Sequence, residues 1–178
     1  MMIKTVLATT TCYQTVEELR FKLALKTIKL TRQKNYSVII IDSSPNPDIA
    51  DAFRNMDAMV FPETIRGMAA SRRLACFYAL NCLLFELKCQ EGVVLWLEPE
   101  KRGLIRLIPL IVRPIAERQA KIVIAKRTQS SWRTYPEFQQ ISEQGANKAY
   151  AEATGREDYD PFFGPVAFSS ESLRQAFL

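Results

Sequence analysis

Histidine is absent from all 178 residues of this chain. That excludes Ser-His-Asp and Cys-His catalysis in their usual forms, which rely on imidazole as the proton carrier. It also removes imidazole as a metal ligand, so a bound metal must be held by oxygen, the preference of Mg²⁺ and Mn²⁺. Glycine is scarce, with 6 residues. Neither GxGxxG nor GxxxxGK[ST] occurs, which leaves the dinucleotide-binding and P-loop fingerprints without support. The 4 cysteines, Cys12, Cys76, Cys82 and Cys89, form no CxxC pair. Buried apolar thiols are expected rather than a zinc site or a disulfide framework.

Long apolar runs are missing as well. The longest, LACFYALNCLLFEL, contains Asn81 and Glu86 and is too short to span a bilayer. The opening MMIKTVLATTT lacks the apolar core of a signal peptide, so a cytoplasmic protein with no transmembrane segment is expected. The formal charge of +5 is mild and its cations are spread along the chain. No basic run with interleaved aromatics marks a nucleic-acid partner, and the charge suits a phosphorylated ligand equally well.

What is present is an alternation of short apolar runs with helical patterns. IKTVLA (3–8), SVIIID (37–42), AMVF (58–61), GVVLWL (92–97) and KIVIA (121–125) read as strands, the last of them central. TVEELRFKLALKTIKLTRQ (15–33) reads as an amphipathic helix with Thr15 as N-cap and Glu18 completing a capping box. A short helix follows in DIADAFRNM, and a long buried one in residues 68–88. Residues 104–119 read as a helix interrupted by Pro109 or Pro114. From 127 to about 160 the pattern dissolves apart from a helix near 137–152, and VAF with SESLRQAFL closes the chain. This predicts an α/β protein: a mostly parallel central sheet with helices on both faces, in a single domain over 1–178.

Strand ends at the carboxyl edge of such a sheet are where α/β proteins place chemistry. Asp42 ends one strand, where it can bind a nucleotide's ribose or base, or cap its own turn. RGMAASRR, Arg66 to Arg73, opens a helix behind Gly67 and reads as an anion site or as a plain helix start with solvated arginines. In LEPEK, Glu98 and Glu100 point to one side if the strand continues past Leu97, and Pro99 favours an extended Glu98. A carboxylate pair of that kind suits a divalent cation; the alternative is an acidic turn neutralised by Lys101 and Arg102. YDPFFGPVAF is either a pocket wall or packing for the last helix.

Taken in order, these pieces resemble the GT-A glycosyltransferases, above all the inverting family 2 type and its mannosylglycerate-synthase-like relatives. The matching features are LATTT, the strand ending in Asp42, RGMAASRR, VVLWLEPEK, RPIAERQAKIVIAKR and DPFFGPVAFSSESL. The resemblance implies a nucleotide-sugar donor and an acceptor of unspecified kind. It puts Asp42 and Thr9, Thr10 and Thr11 at the nucleoside, and Arg66, Gly67, Arg72 and Arg127 near the diphosphate. It puts Mn²⁺ or Mg²⁺ on Glu98 and Glu100, and Phe163, Gly164 and Pro165 on the acceptor side. The family's metal motif uses aspartates where this chain has ExE around a proline, and the late aspartates, Asp158 and Asp160, precede Gly164, which leaves the catalytic base unassigned. The alternative implied is a GT-A-like domain without turnover, binding a nucleotide or sugar phosphate in a regulatory or assembly role, with oligomers allowed. A nucleotidyltransferase shares the sheet, but the first loop lacks the Gly-rich basic signature such chemistry wants.

Overall fold

The computed structural model describes residues 3–177. In chain order the elements are β1 (Thr5–Thr11), α1 (Leu19–Gln33), β2 (Ser37–Asp42), α2 (Pro47–Arg54), β3 (Met59–Pro62) and α3 (Met68–Asn81). They continue with β4 (Val93–Trp96), α4 (Ile108–Ala116), β5 (Ile122–Ile124), α5 (Gln129–Trp132), α6 (Glu137–Thr154), β6 (Val166–Ser169) and α7 (Ser170–Phe177). A π-helical turn, Cys82–Glu86, extends α3, and a 3-10 helix, Arg102–Leu107, leads into α4. The fold is α/β. The chain forms two compact units: Ile124–Val166 is one, and the residues before and after it form the other.

The six-stranded sheet has the order β3-β2-β1-β4-β6-β5. Strands β1 to β4 are parallel, in the register Leu7 opposite Val38 and Leu95, with Ile39 opposite Met59. The end of β6 meets the start of β4, where the Ser170 N–H donates to the Gly92 carbonyl at 2.9 Å. The β-branched run of β2 is buried on both sides, as a central parallel strand requires. Val38 and Ile40 face α1, α2 and α4 together with Leu7 and Leu95. Ile39 and Ile41 face α3 and α7 together with Val6, Val94 and Trp96.

Three expectations change in detail. Helix α1 starts at Leu19 rather than Thr15, yet half of the capping box is present: Glu18 Oε1 accepts the Thr15 N–H at 3.1 Å. The interruption near residue 109 is a change of helix type, because Pro109 sits in the first turn of α4, where its missing N–H costs nothing. The strand at 122–124 lies at the sheet edge rather than its centre, with Ile122 exposed.

Cys76 and Cys82 are buried beneath α3, and burial pushes the Cys76 thiol up to about 12. Cys12 is exposed and Cys89 half-buried. A disulfide-exchange reagent at neutral pH is therefore expected to label Cys12 first and Cys89 more slowly. Cys76 and Cys82 should react only after denaturant is added; their rapid native labelling would contradict this packing.

Candidate functional site

The chain leaves β1 toward β2 on one side and returns at β4 on the other, so the direction of winding reverses between β1 and β4. Adjacent parallel strands whose connections diverge leave a crevice beyond their carboxyl ends. The loops after Thr11 and after Trp96 border it, and so does the start of α3, which packs against β1, β2 and β4.

LEPEK does not continue the strand. The Lys101 N–H donates to the Glu98 carbonyl at 3.1 Å, closing a tight turn with Pro99 at its second position. The expected shared direction of the glutamates is thereby corrected. Glu100 bends to α1, accepting from the Tyr13 hydroxyl at 3.1 Å and from Arg20 Nε at 2.9 Å. Glu98 pairs with Lys101 at 3.2 Å, although its Oε2 is buried without an aligned hydrogen bond. Each carboxylate is committed to its own cation, and no group of three potential ligands occurs among the described residues. The arrangement does not fit a preformed two-carboxylate cation site.

Burial, followed by the charge of Glu100, holds the Tyr13 phenol far above its ordinary pKa, so it stays a donor. Its ring packs edge-on against Phe21 at 5.8 Å. Glu100→Ala orphans that hydroxyl and is expected to cost about 1–2 kcal/mol, while Glu100→Gln keeps most of the stability. Little of the loss belongs to Arg20, which is mostly exposed. Thermal melts of the two variants check this; equal melting temperatures for Glu100→Ala and wild type would refute it.

Asp42 is 8% exposed, and a single oxygen, Oδ1, accepts from Thr11 Oγ1 at 2.7 Å and Ser44 Oγ at 2.6 Å. Ser44 in turn accepts from the Tyr13 N–H at 3.0 Å. Asp42 thus ties the loop after β1, which borders the crevice, to the loop after β2. Of the other threonines expected there, Thr10 is half-buried and Thr9 is fully buried, its hydroxyl unpartnered. By strand alternation Thr9 shares the side of Leu7 and Thr11.

The start of α3 has a different character. Gly67 is its N-cap at φ 119°, a conformation that strains any L-residue, and supplies no side chain to cap the first N–H groups. Arg66 is exposed beside it. One turn in, the Arg72 guanidinium lies over the indole of Trp96, 4.1 Å from the ring centre. Arg72 Nε and Trp96 Nε1 are both buried with no hydrogen-bond partner. The neighbouring Ser71 hydroxyl donates to Glu63, which places one carboxylate on this first turn. Of the residues expected here, Gly67 is the helix N-cap, Arg72 lies over Trp96 and Arg66 is exposed in the preceding loop. The sequence reading missed Trp96, since an indole inside VVLWL reads only as core.

Arg127 is elsewhere in its contacts. Within the Ile124–Val166 unit its side chain is 1% exposed and pairs with Asp160 at 2.8 Å and with Glu143. Its guanidinium lies over Trp132 at 3.6 Å, with Phe163 at 5.0 Å. Asn147 donates to Asp160 at 2.7 Å. Burial opposes ionisation of Asp160, but the hydrogen bonds from Arg127 and Asn147 hold its carboxyl below the ordinary value. The charges of this internal cluster are paired, although Asn147 Oδ1 is buried without a partner, so Arg127 is not free to meet a diphosphate. Phe163 is buried against it, Gly164 turns at φ 103°, and the Pro165 carbonyl accepts from the Ala125 N–H at 3.2 Å.

A cavity of about 420 Å³ opens at the opposite, amino edge of the sheet, lined by Gly92, Ile115, Lys121 and Ser170 among others. Four of its charged groups close on each other as exposed pairs, Arg118 with Glu91 and Lys121 with Glu171, and Arg174 donates to Gln90. It contains no orphaned buried group, and the crevice at the carboxyl edge is the better candidate. No helix among the described residues is long and apolar enough to cross a membrane. No known family model and no curated protein sequence matches this chain.

Proposed function

We propose that the chain binds a nucleotide-diphosphate sugar at the carboxyl edge of β1 and β4, with the diphosphate at the start of α3, and transfers the sugar to an acceptor. The observation behind this is the pair of buried, unpartnered donors Arg72 Nε and Trp96 Nε1 beside an uncapped helix start. An unpaired buried donor costs roughly 1–3 kcal/mol. A phosphate group offers enough acceptor oxygens to relieve both, and the helix start favours the same charge. Since both donors are covered, the ligand enters as Arg72 lifts from the indole. Arg66 adds positive charge from the loop. In the transfer step these groups stabilise the charge that grows on the departing diphosphate. The sugar part of the reading rests on the sequence resemblance.

A second reading is binding without turnover. It is favoured by the fate of the acids: Glu100 is held by Tyr13 and Arg20, and Asp160 by Arg127. The deciding experiment is calorimetric titration with UDP and GDP, with and without Mn²⁺, followed by incubation with UDP-glucose and GDP-mannose. Binding with release of free nucleotide diphosphate supports transfer. Binding without release supports the second reading. Failure to bind either nucleotide overturns both.

A further inference from the structure

From a separate region we infer that the outer surface of the 3-10 helix and α4 docks on an anionic lipid bilayer. Residues 101–117 hold Lys101, Arg102, Arg106 and Arg113 against a single acid, Glu117. The inward side of this segment, Ile105, Ile108, Ile111, Val112 and Ile115, is buried in the core. Arg106, Leu110 and Arg113 then fall on the outward line by helical spacing. The leucines on that surface are not covered: Leu107 is 45% exposed and Leu110 57%. Arg102, Arg106 and Arg113 are exposed, and none forms an ion pair among the described residues.

Helix α1 extends the surface. It packs beside the 3-10 helix and covers the same side of the sheet, so the outward sides of both helices point away from that sheet. Lys26 and Lys29 are exposed there, and neither forms an ion pair among the described residues. Exposed leucines set among unpaired cations are the composition of a helix lying in the headgroup region, where leucine meets acyl chain and arginine meets lipid phosphate. A nucleic acid would use the arginines and leave the leucines in water, and no exposed aromatic on this segment offers a base a stacking partner. The membrane is therefore the partner whose chemistry uses both halves of the surface.

The test is co-sedimentation of the full chain with vesicles of pure phosphatidylcholine and of phosphatidylcholine mixed with phosphatidylserine. Two variants are compared, Arg102→Gln/Arg106→Gln/Arg113→Gln and Leu107→Ser/Leu110→Ser. All five positions are exposed, so both variants should melt near the wild-type temperature. Binding is expected only to the phosphatidylserine vesicles, weakened about fivefold per arginine removed and about tenfold or more without the leucines. Binding lost with the arginines but indifferent to the leucines would overturn docking by this surface in favour of simple charge adsorption. Absence of vesicle binding, or retardation of a duplex RNA through the same arginines instead, would overturn it as well.

Discussion

Arg127→Met is expected to cost about 3–5 kcal/mol of stability, because it strips the counter-ion from two carboxylates. Asp160 is 3% exposed at its side chain. Methionine preserves the bulk over Trp132, so the loss reports charge rather than volume. The control is the triple variant Arg127→Met/Glu143→Gln/Asp160→Asn, which leaves no unpaired charge and should recover much of the stability. Denaturant titration reads both; a single variant as stable as wild type would refute the cluster. Acid probes the same group. The Asp160 carboxyl is held below its ordinary value by Arg127 and Asn147 against the cost of burial. Its contribution is therefore complete above the ordinary aspartate pKa of about 4 and lost as the pH falls through the lower folded value. Fluorescence of Trp132 in a Trp96→Phe background should change across that acid range, and should be flat from neutral pH down to it.

Arg72→Gln is expected to weaken UDP or GDP binding about tenfold to a hundredfold, the worth of a charge-assisted hydrogen bond to a phosphate. Arg73→Gln is the companion: Arg73 is exposed on the adjacent helix position. Its affinity should stay within about threefold of wild type, as general charge attraction alone predicts. Equal losses from both variants would assign binding to diffuse charge instead of the site on Trp96.

The parallel sheet was legible because strands buried on both sides need continuous β-branched and aliphatic runs, and SVIIID and GVVLWL are such runs. The start of α3 was legible because Gly67 and the arginines lie together in sequence. LEPEK reads either as an extension, because the residue before a proline prefers extended backbone, or as an acidic turn neutralised by Lys101 and Arg102. Proline is equally suited to the second position of a tight turn, and the closing bond from Lys101 to Glu98 shows that the turn prevails. Arg127 was read as a strand-end functional group because its partners are remote, Glu143 sixteen residues on and Asp160 thirty-three. No local pattern announces such a cluster. Trp96 was invisible for the opposite reason: the strand pattern explains its ring fully and says nothing of its N–H. The exposed surface of residues 102–113 needed the structure too, since only the buried isoleucines show which side faces out.

The most direct test of the account is the indole N–H resonance of Trp96 in a ¹⁵N–¹H correlation spectrum during titration with UDP and GDP. One of these nucleotides is expected to move it saturably, as a phosphate oxygen accepts from the indole N–H and Arg72 lifts from the ring, while the Trp132 resonance stays fixed. A Trp96 resonance that holds its position while calorimetry records binding would place the nucleotide elsewhere and contradict the assignment of this crevice.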